Sequence, residues 1–301
     1  MNLNHLAIFR AVAACGSVSR GAESLFISQS AVSKQLTEFE ATLGLKLFDR
    51  LPRGVRLTES GHLLLGYANR LFAVEAAAER ALQDLHQQAR GRIAIGASRT
   101  LGSYLLPERL VAFHRRFPRV EVALQVDNTK VIENRLIEGE LDIGFTEGAA
   151  GHEQLEYVEV TQDELVLIVG RSHWAAAQAT LSLAQLAELP LLMHEEGSGT
   201  RAVTESALAA RKVRLRPVMT LASTEAIKQT VAAGAGVAFL SALSIRPELE
   251  ARRLVVVKVK GLRIRRPLYR VRLRDATPGP SLEAFLRVWN ISKNADTAMA
   301  E

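Results

Sequence analysis

The 301-residue chain has one cysteine, Cys15, so no internal disulfide can staple it. A sensing thiol at Cys15 is conceivable, but the residue closes a first helix and packing is the plainer account. No run of about 18 apolar residues lacks a charge, which excludes a membrane-spanning helix. The first residues also lack the basic-then-apolar order of an export signal, so a cytoplasmic protein is expected. The seven histidines (5, 62, 86, 114, 152, 173 and 194) show no metal-ligand spacing. No Walker loop occurs, no Gly-x-Gly-x-x-Gly follows a strand, and no nucleophile elbow is present. An enzyme, a cofactor and a metal are therefore not expected.

What the chain does have is a positive balance, +6 with a pI near 9.7, which favours polyanionic partners. The excess is unevenly placed. Residues 1–60 hold seven Lys/Arg (positions 10, 20, 34, 46, 50, 53 and 56) against five acids (23, 38, 40, 49 and 59). Most of it lies between Arg246 and Arg274, in runs such as LVVVKVKGLRIRRPLYRVRLR. Charged faces and edges of a sheet that resist edge-to-edge pairing account for those runs better than a second DNA contact does.

Gly16 to Thr58 is the most informative stretch. Ser17 can cap a helix whose apolar stripe is Ala22, Leu25 and Phe26, and Ile27 is expected to pack the turn. Ser28 can cap a second helix on which Ala31, Val32, Leu36, Phe39 and Leu43 recur at helical spacing, with Gly44 as C-cap. Its opposite face is short and polar: Gln29, Ser30, Ser33, Lys34 and Thr37. Such a helix suits a major groove, although a helical hairpin with a solvated outer face would share the spacing. An apolar helix (Leu3, Leu6, Phe9, Val12, Ala13) precedes the pair. Leu47 to Arg50 and Val55 to Thr58 flank Pro52-Arg53-Gly54 and read as a β-wing with Arg53 at its tip. The sum is a winged helix-turn-helix with Ser17, Ser28, Gln29, Ser30, Ser33, Lys34 and Arg53 as the DNA-contacting set.

From Glu59 to Gln88 one long helix follows, with an apolar stripe of Leu63, Leu64, Tyr67, Leu71, Val74, Ala78, Ala81, Leu82 and Leu85. A 58-residue domain cannot cover a stripe of that length. The same helix of a second copy would, so an isologous homodimer is expected on double-stranded DNA. Ala89-Arg90-Gly91 reads as a hinge.

These residues resemble the N-terminal domain of LysR-type transcriptional regulators. The run AVAACGSVSRGAESLFISQSAVSKQLTEFEATLGLKLFDRLPRGVRLTESG carries the likeness without a gap. Within it stand Gly21-Ala22-Glu23, Ser28 to Ser33, Phe39-Glu40, Leu47-Phe48-Asp49-Arg50 and Leu57-Thr58 followed by Gly61. One departure is Ser30, where many members have proline; serine keeps a hydroxyl for a phosphate or a base edge. The resemblance implies a dimerising linker helix, tetramers built as paired dimers on promoter DNA, and a periplasmic-binding-protein-like effector domain.

Beyond Gly91 strands alternate with helices, which argues an α/β class and an open, largely parallel sheet in each of two lobes. The expected strands are Arg92–Ala97, Val120–Val126, Leu141–Phe145, Leu165–Val169 (opening the second lobe), Leu191–Met193, Val218–Leu221, Gly236–Leu240 and Leu268–Leu273. Expected helices are Tyr104–Phe117, Lys130–Glu138, Thr224–Ala233 and Ser281–Trp289, with one more after Gly199. The domain plan is thus 1–58 (winged helix-turn-helix), 59–90 (linker) and 91–301 (effector domain). Lobe I takes about 91–162 and 266–301, and lobe II about 163–265.

Ligands of such folds sit between the lobes at the carboxyl ends of strands. Ser98-Arg99-Thr100 lies between a strand and a helix, where free amides favour an anion. Glu195 to Arg201 follows another strand, and its Gly197-Ser198-Gly199-Thr200 brings backbone, hydroxyls and a helix start together. The run Gly-Ser-Gly-Thr-Arg resembles one branch of the family that senses small anions or phosphorylated metabolites, although a plain capped loop would look alike and Arg201 could point outward into a salt bridge. Thr146 and Thr224 are hydrogen-bonding candidates. The expected effector set is Ser98, Arg99, Thr100, Thr146, Ser198, Gly199, Thr200 and Thr224, for a small anion.

Overall fold

The computed structural model describes residues 2–86, 91–148, 151–214 and 217–298. Two compact units divide the chain, Met1–Ala78 and Glu79–Glu301.

The first unit begins with α1 (Leu3–Cys15), α2 (Val18–Ser24) and α3 (Gln29–Leu43). Short polar side chains start all three: Asn2, Ser17 and Ser28 each accept an amide from the first turn. Gly44 closes α3 in the left-handed region at φ 67°. A hairpin of β1 (Phe48–Leu51) and β2 (Gly54–Leu57) follows, paired from Phe48↔Leu57 to Leu51↔Gly54 with Pro52 and Arg53 at its tip. The Thr58 hydroxyl accepts from the Gly61 amide (3.0 Å) and donates to the Lys46 carbonyl (2.7 Å), starting α4 (Glu59–His86) against the wing. The end expected at Gln88 and the hinge residues Ala89 and Arg90 lie outside the described residues.

Leu6, Phe9, Val12, Ala22, Val32, Leu36, Phe39, Leu47 and Ala68 form one buried core, with Leu64, Leu65, Leu71 and Phe72 of α4 packed on it. The first unit therefore runs on to Ala78 rather than ending at Thr58. One expectation fails here. Phe26 is not part of the stripe of α2: it is 96% exposed with φ at +57°, and Ile27 is exposed as well. The amides of Phe26 and Ile27 close α2 by bonding the Glu23 and Ala22 carbonyls, and that reversal turns both side chains outward. A bulky side chain in this conformation costs ~1–2 kcal/mol.

The second unit runs β3 (Arg92–Ser98), α5 (Arg99–Tyr104), α6 (Leu106–Arg116), β4 (Glu121–Asp127), α7 (Thr129–Ile137), β5 (Ile143–Glu147), β6 (Leu155–Gly170), β7 (Thr180–Leu181), α8 (Leu183–Ala187), β8 (Leu191–Met193), α9 (Gly199–Ala209), β9 (Pro217–Thr220), α10 (Thr224–Ala232), β10 (Val237–Ser241), α11 (Arg246–Glu250), β11 (Leu254–Val259), β12 (Ile264–Leu273) and α12 (Pro280–Ala298). The mixed α/β class expected from the alternation is what stands here. Strand order is β4-β3-β5-β12-β6-β10-β8-β9, so a single path crosses both lobes. Its ends are parallel (β4, β3 and β5; β10, β8 and β9), and its centre is the antiparallel pair β6 and β12.

Three expected elements change accordingly. β6 is 16 residues long rather than Leu165–Val169, and β12 starts at Ile264 rather than Leu268, because each strand belongs to both lobes. The helix expected from Tyr104 starts at Arg99 and breaks at Leu105, where Pro107 opens α6. Lobe I closes around Ile93, Ile95, Phe113, Phe145, Phe285 and Trp289, and lobe II around Leu165, Leu167, Leu191, Val237 and Phe239.

Candidate functional site

In the first unit, Gln29, Ser30 and Lys34 are exposed on the first turns of α3, and Ser33 is half-buried. Ser19 donates to the Gln29 side-chain carbonyl (3.0 Å), and the Ser28 and Ser30 hydroxyls meet at 3.1 Å. Ser17 is occupied in capping α2. Lys34 reaches Glu38 only at 3.9 Å, and Arg53 makes no ion pair among the described residues. The wing is held to α3 by Glu40, which accepts from the Leu47 amide (2.8 Å), the Phe48 amide (3.3 Å) and the Lys46 ammonium (2.6 Å). Burial pushes the Glu40 carboxyl upward, but these three donors hold it below the usual range.

In the second unit, Ser98, Arg99, Thr100, Ser198, Gly199, Thr200 and Thr224 come together, joined by Asn128, Thr129, Glu147 and His194. Apart from Glu147 and His194, they stand at the starts of α5, α7, α9 and α10, so four helix N-termini border one place. Asn128, Ser198 and Ser223 each cap their helix through a side-chain oxygen, whereas α5 has no side-chain cap. Gly199 is required by closeness: a Cβ there would lie 2.3 Å from the Glu147 carbonyl oxygen. Arg201 is half-buried: its Nε donates to Glu205 at 2.8 Å and its Nη1 to the His194 carbonyl at 3.4 Å. Thr146 is the expected residue that the fold does not bring to the cleft. It is buried in β5, and since successive strand residues point to opposite faces, Glu147 takes that place.

The centre of the cleft is Arg266, which has none of its surface exposed. Its guanidinium donates to Asp163 (2.8 Å), Thr200 (2.8 Å) and Thr100 (3.3 Å), and pairs with Glu147 at 3.2 Å. Glu147 also accepts from Ser98, and Asp163 from Ser241 (2.9 Å). This corrects the reading of the basic run around it. Lys258, Lys260, Arg263 and Arg265 are exposed to solvent, but Arg266 lies inside. Arg99 holds Glu195 and approaches Asp127 at 3.6 Å.

His194 is 5% exposed, and burial lowers its pKa to about 4; Glu195 opposes that shift, while Arg99 and Arg266 add to it. Its Nδ1 and the Glu195 Oε2 are buried without a hydrogen-bond partner. Lys228 of α10 is buried too. It binds Glu248 (2.7 Å), Glu225 (2.9 Å) and the Ser244 carbonyl (3.1 Å) and reaches the Tyr104 hydroxyl of α5 at 3.4 Å. Burial lowers the Lys228 pKa, but the two carboxylates outweigh it and raise the net value. The void left between the lobes is about 10 Å³, room for one water-sized sphere. Arg266, Asp163 and Lys228 escaped the sequence reading of the site.

Among the described residues no cluster of three or more His, Cys, Asp and Glu side chains could hold a metal ion, and no helix is long and apolar enough to cross a membrane.

Two family models match. "Bacterial regulatory helix-turn-helix protein, lysR family" covers residues 3–62, and "LysR substrate binding domain" covers residues 86–289. A "Probable RuBisCO transcriptional regulator" of Cyanidioschyzon merolae is 36% identical over 275 residues, spanning 89% of this chain and 91% of that protein. Among solved structures, the CcmR regulatory domain of Synechocystis in complex with 2-PG matches at 27% identity and a TM-score of 0.63, covering 67% of this chain and 98% of that one. Full-length CbnR complexed with its target DNA matches at 24% identity and a TM-score of 0.58, over 97% of this chain and 100% of that one. With a reading head, an effector domain and relatives of this length, the chain belongs to the LysR family of DNA-binding transcriptional regulators.

Proposed function

We propose that α3 and the wing grip promoter DNA, that two copies join along α4, and that a small anion in the cleft sets the regulatory state. Gln29, Ser30, Ser33 and Lys34 meet base edges and phosphates, Ser17 and Ser28 orient the two helix starts, and Arg53 reaches the groove beside the wing. The dimer rests on α4, whose Leu63, Tyr67, Val74 and Leu82 stand exposed at helical spacing while its other face packs on the winged core. Likeness to the LysR family supports pairing of dimers into tetramers and action in the cytoplasm. The ligand leaves the cleft chemically unchanged.

The observation that supports an anionic effector is that the starts of α7, α9 and α10 border the void beside Arg99, with Arg266 bound to Thr200 of α9. Four carboxylates, Asp127, Glu147, Asp163 and Glu195, already oppose those two cations. An entering anion therefore takes the place of Glu195 on Arg99, which opens the void and moves the lobes. A complex of 2-PG with a 27% identical regulatory domain supports an effector of this kind. The effector acts by binding one lobe arrangement better than the other.

Thermal unfolding of the full-length chain against 2-PG, inorganic phosphate and simple carboxylates tests this. A ligand at about 100 times its dissociation constant adds ~2.7 kcal/mol to the stability of the second unit. The gain disappears in Ser98→Ala and Thr200→Ala. No gain with any anion, or a gain kept in both variants, overturns the cleft as the effector site.

A further inference from the structure

The residue least explained by the packing of either unit is Phe26. A helix that ends in a left-handed residue does so without strain on glycine and with little on asparagine, because the steric conflict is with the side chain. Here a phenylalanine holds that position at φ +57°. Its ring gains nothing in return within the unit, since it is 96% exposed, the highest value among the large apolar residues. Strain held without burial is stabilised by neither the core nor the helix, and such outliers gather where another molecule is engaged.

Its position says which molecule. Phe26 closes α2 two residues before Ser28, the cap of α3. Around it stand the exposed Ile27, Ser28, Gln29 and Ser30, with the Gln29 amide held by Ser19 at 3.0 Å. The ring thus projects from the same turn that offers its polar groups to base edges. In the major groove one base carries an apolar mark, the 5-methyl of thymine, and phenylalanine is among the side chains that meet it.

We propose that Phe26 is a specificity-determining residue that packs on a thymine methyl beside the bases met by Gln29 and Ser30. The proposal rests on the reading of α3 as the DNA-contacting helix. It adds an apolar contact to that face and accounts for a phenylalanine where glycine or asparagine would fold more easily.

The test uses the full-length chain and a duplex selected by it from a random-sequence library. Phe26→Asn relieves the strain and raises the melting temperature of the first unit by roughly 4–8 °C. The same substitution weakens binding to the selected duplex about tenfold and leaves binding to unselected DNA unchanged. Replacing the thymines of the site by uracil removes the methyls, costs the wild type a similar factor, and costs Phe26→Asn nothing further. Unchanged affinity in Phe26→Asn overturns the proposal. So does equal sensitivity of both proteins to uracil, or a fall in melting temperature or a changed sedimentation coefficient in Phe26→Asn, which would assign the ring to protein packing. Lys34→Ala in the same assay separates the two levels: if it too binds unchanged, the reading of α3 has failed and not Phe26 alone.

Discussion

Around α3 and the wing, Lys34 and Arg53 stand in water, and the nearest opposite charge to Lys34 is Glu38 at 3.9 Å. In the cleft, Arg266 has no exposed surface, and its donors meet two threonines and two carboxylates. The two regions hold charge in opposite ways. A surface that meets DNA gains by leaving its cations free, since each phosphate it neutralises releases a counterion. A buried cation must be paired before any ligand arrives, because an unpaired one costs several kcal/mol. The proposed DNA face thus keeps its cations free, whereas the cleft is satisfied internally and, in the proposed mechanism, opens by exchange.

The largest effect that would break this contrast is expected from Arg266→Ala. It strands Asp163 and Glu147 in a dry site and should destabilise the second unit by ~3–5 kcal/mol in urea unfolding. The transition of the first unit should not move. A loss under 1 kcal/mol would mean that water reaches the cleft and that its charges behave like those on α3.

Acid sharpens the comparison next. His194 in the folded chain takes a proton near pH 4 rather than near its ordinary 6.5, and burial is the main cause. Unfolding therefore takes up a proton between those values, so stability should fall as pH drops from about 6.5 to about 4 and this contribution then level off, by roughly 3 kcal/mol in all. His194→Gln should flatten that part of the profile relative to wild type. An identical slope in the variant would assign the acid sensitivity to carboxylates alone.

A smaller effect is expected from Gly199→Ala, whose Cβ would meet the Glu147 carbonyl oxygen at 2.3 Å. Forcing the lobes apart should cost ~1–3 kcal/mol and weaken or abolish the response to 2-PG while DNA affinity at fixed salt stays within twofold. Smallest in stability are Lys34→Ala and Arg53→Ala, expected within ±0.5 kcal/mol of wild type. Each should lower DNA affinity and reduce the slope of log affinity against log salt by about 1. An unchanged slope would remove that residue from the interface.

Much of the first unit was legible because its signals are local. Ser17, Ser28 and Gly44 cap their helices, and Val32, Leu36 and Phe39 face the core at the spacing the helix imposes. The stripe of α2 does not extend to Phe26 for the same reason: helical periodicity counts apolar residues but does not see the chain reverse after Ser24, and the same reversal leaves Ile27 exposed rather than packing the turn. In the second unit, Ser98, Arg99, Thr100, Ser198, Gly199, Thr200 and Thr224 were legible as strand-to-helix junctions. Thr146 is expected just beyond a strand ending at Phe145, but β5 continues to Glu147, which buries Thr146 within the strand. The length of β6 was hidden by its charges: Glu156, Glu159 and Glu164 stay at least partly in solvent, and Asp163 is buried against Arg266.

The sequence by itself determined the family, the winged helix-turn-helix, the alternation of strands and helices, and the helix starts that line the cleft. Each of these follows from interactions within a few residues, which a linear pattern records. Only the tertiary structure decided that Arg266 is the buried centre of the cleft. Its hydrogen-bond partners Thr200, Asp163 and Thr100 lie 66, 103 and 166 residues away along the chain. Nothing in its neighbours sets it apart from Arg263 or Arg265. The crossing of β6 and β12 takes it out of water, and once there it must gather its partners from both lobes.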